Sequence, residues 1–331
     1  MTRDEAARSA TPRKPFCFVV GCPRSGTTLV RAMLDSHPDI ALPPESYFVV
    51  DMGRKLRRYE RGGTFNAERF LNHLCAHRWF RKWGLGQEEV ARSFQLRPPR
   101  DFSDAVRLAF STYAAERGKD RYGDKTPNYV LRLRLLAALF PEARFLHVIR
   151  DGRDVASSLL DSEMGLRSLS EAALSWRLHV GRGRSAGPAL GPDRYMEIRY
   201  EDLVSDPESH LRRVCTFFEL TFDPMMLRYH ERASSLVANF GRPQIHSGLF
   251  LPPTLGVRDW RNELSPADVA RFESLAGDLL DACGYKRATS RRTLDRIHRS
   301  ERQLRWGSRR LVSRAVDAIK PQLSARTRVS R

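Results

Sequence analysis

Apolar residues in this chain gather into short unbroken runs, each closed by a glycine or a charged residue, with helical spacing between them. Phe16 to Gly21 (FCFVVG) reads as a strand buried on both faces. After it Leu29, Val30, Met33 and Leu34 recur at helical spacing, predicting a helix that begins near Gly26 and ends before Pro38. Phe145 to Ile149 (FLHVI) predicts a second buried strand, leading through Arg150-Asp151-Gly152 into a helix from about Asp154 to Leu160. Tyr195 to Ile198 predicts a third. Between Phe65 and Glu116 helical segments break at Gly84, Gly86 and Pro98-Pro99, which reads as a helical excursion from the sheet. Ser235 to Gly256 is rich in Gly, Pro and Ser, predicting a mobile surface loop before a last helix from about Pro266 to Cys283. Strands alternating with helices imply an α/β fold, a mostly parallel sheet with helices on both faces that binds ligands at the carboxyl ends of its strands. No internal repeat is visible.

Charge changes this picture at one end only. The net charge is +18, and residues 286–331 hold fifteen basic and three acidic residues, so the body is only mildly basic. That divides the chain into a flexible arm (1–15), a catalytic-sized body (16–285) and a basic, partly helical or disordered extension (286–331). Within the extension Leu294, Ile297, Leu304, Trp306, Leu311, Val312, Val316 and Ile319 lie among arginines, as in a basic amphipathic helix. A solvated tail and a peripheral contact with anionic membrane or an acidic substrate are both open; a specific nucleic-acid partner is not expected. The five cysteines fall at no metal or redox spacing and read as reduced thiols. The first fifteen residues lack an apolar signal core, and the expected localisation is cytoplasmic.

Gly21-Cys22-Pro23-Arg24-Ser25-Gly26-Thr27-Thr28 separates two glycines by four residues, the spacing of a P-loop, between a predicted strand and a predicted helix. There successive backbone N–H groups and the positive end of the helix dipole face one concavity suited to a phosphate. A nucleotide-hydrolysing P-loop continues with Lys and then Ser or Thr, whereas Thr27 stands at the lysine position and the cation Arg24 lies inside the loop. ATP hydrolysis is disfavoured. PRSGTT after a strand resembles the 5′-phosphosulfate loop of sulfotransferases that use 3′-phosphoadenosine 5′-phosphosulfate (PAPS). The longer run from Pro23 to Ile40 resembles the tyrosylprotein branch.

The resemblance covers roughly residues 16 to 285 and implies a P-loop nucleotide-kinase-like fold with a helical insertion. It also implies transfer of a sulfuryl group from PAPS to a hydroxyl, with 3′-phosphoadenosine 5′-phosphate (PAP) as product and no metal. By matched position, the amides and hydroxyls of Ser25, Gly26, Thr27 and Thr28 hold the 5′-phosphate, and Arg24 lies over the bridging oxygen where charge develops. Glu45 falls at the catalytic glutamate, although Pro43-Pro44 before it departs from the family pattern. Gly123-Asp124-Lys125-Thr126-Pro127 resembles the segment that supplies a catalytic lysine, and Lys125 is one of only seven lysines in an arginine-rich chain. Arg150 and Ser158 match the residues that share the 3′-phosphate. Tyr200, in Tyr200-Glu201-Asp202-Leu203, matches a tyrosine near the adenine.

Asp259-Trp260-Arg261-Asn262 resembles a C-terminal element that an Arg-Lys-Gly triplet precedes in cytosolic members. Pro252-Pro253-Thr254 stands nearby in place of that triplet, leaving Arg258 and Arg261 as substitutes for phosphate binding and Ser247 as an active-site hydroxyl. Each of these residues also has a structural alternative: a loop carboxylate for Glu45, a solvated neighbour of a helix cap for Lys125, a surface ion pair with Asp151 or Asp154 for Arg150, a core aromatic for Tyr200. Two rival functions remain, a P-loop kinase or other phosphoryl transferase, and a basic nucleic-acid or membrane binding protein. The acceptor, whether peptide tyrosine, carbohydrate or small metabolite, is not encoded in any local motif, and neither is the oligomeric state.

Overall fold

The computed structural model describes residues 13–162, 166–232, 249–253 and 258–290. Seven strands occur among them: β1 (Cys17–Gly21), β2 (Ile40–Ala41), β3 (Glu60–Arg61), β4 (Thr64–Phe65), β5 (Arg121–Lys125), β6 (Arg144–Ile149) and β7 (Tyr195–Arg199). β3 and β4 form a small antiparallel hairpin. The other five make one parallel sheet in the order β2-β5-β1-β6-β7. This is the α/β architecture expected from the alternation of runs.

β1 is central, and every residue in it is buried. Its side chains alternate between two cores, as a strand covered on both faces requires. Phe16, Phe18 and Val20 pack with Phe110, Phe140 and Phe145, while Cys17 and Val19 pack with Val30, Met33, Leu146, Val148 and Leu211. The first face is roofed by α2 (Phe48–Gly53), α3 (Ala67–Ala76), α4 (Gln87–Leu96), α5 (Phe102–Ala115) and α6 (Leu133–Leu139). α3 to α5 are the helical excursion, and its breaks fall at the expected Gly and Pro pairs.

α1 (Thr27–Asp35) and α10 (Pro207–Phe218) cover the second face. A third core joins α7 (Gly152–Leu160), α8 (Leu169–Ala186) and α12 (Pro266–Ala282) through Val155, Trp176, Phe272 and Leu280. Short helices α9 (Tyr200–Ser205) and α11 (Trp260–Glu263) follow β7 and precede α12. Hydrogen bonds from the amides of Ala288 and Thr289 to Glu273 carry this packing past Tyr285, the boundary read from composition. No helix among the described residues is long and apolar enough to cross a membrane.

β5 (RYGDK) was not foreseen, because it has no apolar run. Its place between β1 and β2 fixes it as a strand. Arg121 donates to the carbonyls of Phe218 and Glu219, both at 2.8 Å, closing the end of α10. A Cβ on Gly123 would meet the Cys17 carbonyl at 2.8 Å, so only glycine lets β5 lie this close to β1.

Two buried histidines set an acid limit on this fold. Burial, with the charges of Arg184 and His179, pulls His147 down to about 3, and burial pulls His179 down to about 4 despite a hydrogen bond to the Ser175 carbonyl. Both bind protons more weakly folded than unfolded, so their contribution is fully present above about 6.5 and is lost as pH falls toward those values. His179→Gln is expected to shrink the stability lost between pH 7 and pH 5 by ~2 kcal/mol in urea unfolding. An unchanged loss would mean that His179 protonates freely in the folded state.

Candidate active site

The loop after β1 turns on two left-handed residues, Arg24 at φ 72 and Gly26 at φ 87. Gly26 has no alternative: a Cβ there would lie 2.2 Å from the Tyr200 ring. α1 begins immediately afterwards with no side-chain cap and no acidic residue in its first turn, whereas α3, α5, α7, α8, α10, α11 and α12 all begin with a capping Asn, Asp or Ser. The amide-rich start of α1 is thus open to an external anion. The Ser25 hydroxyl, wholly buried beside it, has no hydrogen-bond partner.

Arg24 does not fold back over this loop. Its Nε donates to the Ser158 hydroxyl at 2.9 Å, joining two motifs 134 residues apart. Arg150, next to β6, is buried, and its guanidinium lies 4.5 Å above the Tyr200 ring and 3.6 Å from Asp154. Tyr200 therefore touches both Gly26 and Arg150, bridging the loop after β1 and the turn after β6. The Arg150 Nε is buried without a partner. Arg258 joins from beyond the sheet through Ser157 at 3.2 Å, Glu263 at 3.1 Å and Asp161 at 2.7 Å.

Burial, then the charges of Arg258 and Arg150, lower the proton affinity of Arg24. Among the described residues no carboxylate lies in ion-pair range of Arg24. Three guanidiniums thus crowd one patch, which a multiply charged anion would relieve.

A second cluster lies on the other side of β1. Lys125, ending β5 and 2 % exposed, donates to Glu45 Oε1 at 2.7 Å and to Thr28 Oγ1 at 3.4 Å. Burial lowers its proton affinity, with the Glu45 charge opposing. Thr28, on the first turn of α1, links this ion pair to the loop. A polar line therefore runs from Glu45 through Lys125, Thr28 and the loop to Arg24, Ser158 and Arg258, along the carboxyl ends of the strands.

The sequence-derived residues Arg24, Ser25, Gly26, Thr27, Thr28, Glu45, Lys125, Arg150, Ser158, Tyr200 and Arg258 come together in this groove. Arg261 does not join it. Its guanidinium pairs with Asp259 at 3.1 Å and stacks on Trp260, so it serves α11 instead. Ser247 lies outside the described residues, as do Pro252-Pro253-Thr254 in part and the tail from Arg291.

Asp154, one of the alternative partners read for Arg150, does lie 3.6 Å from it, while Ser157 and Trp176 were missed. Ser157 holds Arg258, Asp154 accepts from the Trp260 amide at 2.8 Å, and Trp176 donates to the Arg150 carbonyl at 3.0 Å. Ser157 was signalled only by its place beside Ser158, and Trp176, far from Arg150 and Ser158 in sequence, by nothing local. Asp124 was read as an alternative helix cap, but it lies within β5 and Thr126 stands at the start of the turn that follows. Asp124 is 1 % exposed, neither carboxylate oxygen makes a well-aligned hydrogen bond, and burial pushes its carboxyl up to about 7.

Residues 15–224 match the family described as "Sulfotransferase family". The chain is 29% identical over 310 residues to the nodulation protein NoeE of Sinorhizobium fredii, covering 85% of this chain and 68% of that one. It is 26% identical over 283 residues to protein-tyrosine sulfotransferase 1 of Mus musculus, covering 82% and 70%. In fold it is similar to the sulfotransferase domain of the Synechococcus PCC 7002 olefin synthase, with a TM-score of 0.57 and 23% identity over 81% of this chain and 96% of that one.

Asp124 gives this site a measurable signature. It binds a proton more tightly folded than unfolded, so its contribution is present at pH 5 and is lost as pH rises through about 7. Relative to Asp124→Asn, the natural protein is expected to lose ~2–3 kcal/mol of stability between pH 5 and pH 8 in urea unfolding. A difference that stays constant over that range would show the carboxyl to be ionised throughout.

Proposed function

The chain belongs to the sulfotransferase family, and on that premise we propose that it moves the sulfuryl group of PAPS to a hydroxyl acceptor, with Glu45 as the base. The observation that carries this reading is the Arg24–Ser158 hydrogen bond, which joins the loop after β1 to α7, the helix following Arg150, and so supports one groove able to meet two separated anionic groups of a single adenosine donor. The residues fit such a donor. Ser25 Oγ and Arg150 Nε are buried polar atoms without partners, one at each anion position, and the start of α1 has no internal anion.

The amides of Ser25 to Thr28 would hold the 5′-phosphate, with the hydroxyls of Ser25, Thr27 and Thr28 beside them. Arg150 and Ser158 would hold the 3′-phosphate, with Arg24 between the two positions and Arg258 beside the second. The Tyr200 ring, already against Gly26 and Arg150, would form a wall for the adenosine. PAPS supplies an activated sulfuryl group whose departure leaves negative charge on the 5′-phosphate.

Lys125 carries a positive charge next to Thr28 and would stabilise that charge. Glu45, ion-paired to Lys125, is a carboxylate within reach of the same place, and it would take the proton of the acceptor hydroxyl. These residues do the work by position and charge, and no metal is required of them. Peptide tyrosine is the acceptor in the name of the mouse relative, and it heads a panel that also holds an oligosaccharide and a small phenol.

Glu45→Gln is expected to cut sulfuryl transfer to any accepted member of that panel by roughly 10²–10⁴-fold while leaving PAP affinity unchanged. Weakened PAP binding with unchanged turnover would place the base elsewhere. PAP should raise the melting temperature where ATP with Mg²⁺ does not, and Arg150→Ala should weaken PAP by about tenfold or more. Stabilisation by ATP with Mg²⁺ alone would turn the assignment toward phosphoryl transfer.

A further inference from the structure

Of residues 40–46, Glu45 alone is not buried, and the chain on each side of it is pinned by side chains from other elements. Upstream the anchor is Leu42. Its carbonyl accepts from Arg31 Nε at 2.9 Å and its amide donates to Asp35 Oδ1 at 2.8 Å, so both of its backbone groups are held by α1. Arg31 and Asp35 stand four residues apart and share one face of that helix. Lys119 donates to the carbonyls of Asp35 at 2.5 Å and Ile40 at 3.0 Å, tying the end of α1 to β2 just before the anchor.

Downstream the anchor is Ser46. It is wholly buried, its amide donates to Thr126 Oγ1 at 3.0 Å, and its hydroxyl hydrogen-bonds with the Tyr129 hydroxyl at 2.7 Å. Thr126 directly follows Lys125, which holds Glu45 Oε1 at 2.7 Å. Between the anchors lie Pro43 and Pro44, both buried. Proline has no N–H to satisfy and a fixed φ, and a residue before proline is restricted as well, so Leu42 to Pro44 has little freedom to bend. These two prolines are where the chain departs from the family pattern.

We propose that Leu42 to Ser46 is a brace that places the base, with Arg31, Asp35 and Thr126 as its positioning residues. The brace sets where the Glu45 backbone sits, and Lys125 sets where its carboxylate points. One anchor is on α1, whose opposite end is the donor loop, and the other is beside Lys125. The base is thereby located against both the donor site and the cation by hydrogen bonds to its flanking backbone, not by its own flexible side chain alone. This role rests on the reading of Glu45 as the base.

Thr126→Val removes the oxygen that receives the Ser46 amide at nearly constant size, and Asp35→Ala removes the one that receives the Leu42 amide. Each is expected to lower kcat about tenfold, counted per PAP-binding site, with PAP affinity unchanged, because the base no longer meets the substrate hydroxyl at hydrogen-bond distance. Thr126→Ser and Asp35→Asn keep a side-chain oxygen at each anchor and should restore most of the turnover. In a Glu45→Gln background Thr126→Val should cause almost no further loss of kcat. Unchanged kcat in both Thr126→Val and Asp35→Ala, no recovery in the Ser and Asn variants, or an equal loss in the Glu45→Gln background would overturn the brace. Full turnover in Glu45→Gln itself would instead remove the base, so the two failures are told apart.

Discussion

β1 is hydrogen-bonded along both edges and covered on both faces, so a polar ligand can approach it only at its ends, and it is the carboxyl end that carries the uncapped start of α1. Each neighbouring strand delivers its contribution at the same edge. β2 leads to Glu45, β5 ends in Lys125, β1 opens the loop, β6 is followed by Arg150 and β7 by Tyr200. Because strand order differs from chain order, residues 45, 125, 24, 150 and 200 line up along one groove although the chain visits them in another sequence. The two glycines that permit this, Gly21 and Gly123, are set by backbone contact. A Cβ would meet the Val148 carbonyl at 2.5 Å in the first case and the Cys17 carbonyl at 2.8 Å in the second.

The groove is electrically uneven. At the Arg24 end three guanidiniums gather, and their carboxylate partners are Asp154, Asp161 and Glu263, all directed at Arg150 or Arg258. At effective dielectric constants near 20, unit charges about 4 Å apart repel by about 4 kcal/mol, so such a patch is stable only with compensating anions close by. The Glu45 end is already balanced, a buried ammonium against a carboxylate at 2.7 Å. One end favours arrival of a polyanion; the other keeps a base and a cation ready without attracting a second anion. A donor binding at the first and a neutral hydroxyl arriving at the second is the division of labour this charge pattern supports.

Apolar runs and glycine spacing made β1, β6 and the loop legible, because a strand buried on both faces has to be written as a continuous hydrophobic stretch, whereas β7, half-buried at the sheet's edge, gave a shorter run. β5 was illegible for the opposite reason. Its residues serve distant partners, Arg121 at the end of α10 and Lys125 at Glu45, and only the flanking strands make it extended. Arg24 was found by its position in the motif, but its direction depends on φ 72 and on a serine 134 residues away, neither of which a local pattern encodes. Arg261 illustrates the converse, an arginine near the right motif that pairs locally with Asp259, two residues away. Ser157 and Trp176 escaped notice because each acts on a residue distant in sequence, Ser157 on Arg258 and Trp176 on the Arg150 carbonyl.

Positive φ at non-glycine residues separates structural from functional strain here. Glu219 adopts it at the end of α10, where the Leu220 amide bonds back to the Cys215 carbonyl, and helix closure accounts for it. Tyr47 adopts it immediately before α2, at a helix start. Arg24 borders no helix end, and it is a large side chain placed where a glycine would be conformationally easier, with its guanidinium turned to Ser158. A sequence breaks a local rule at a cost in stability when the side chain is needed in that direction, so backbone strain at Arg24 falls at the same end of the groove where the guanidiniums gather.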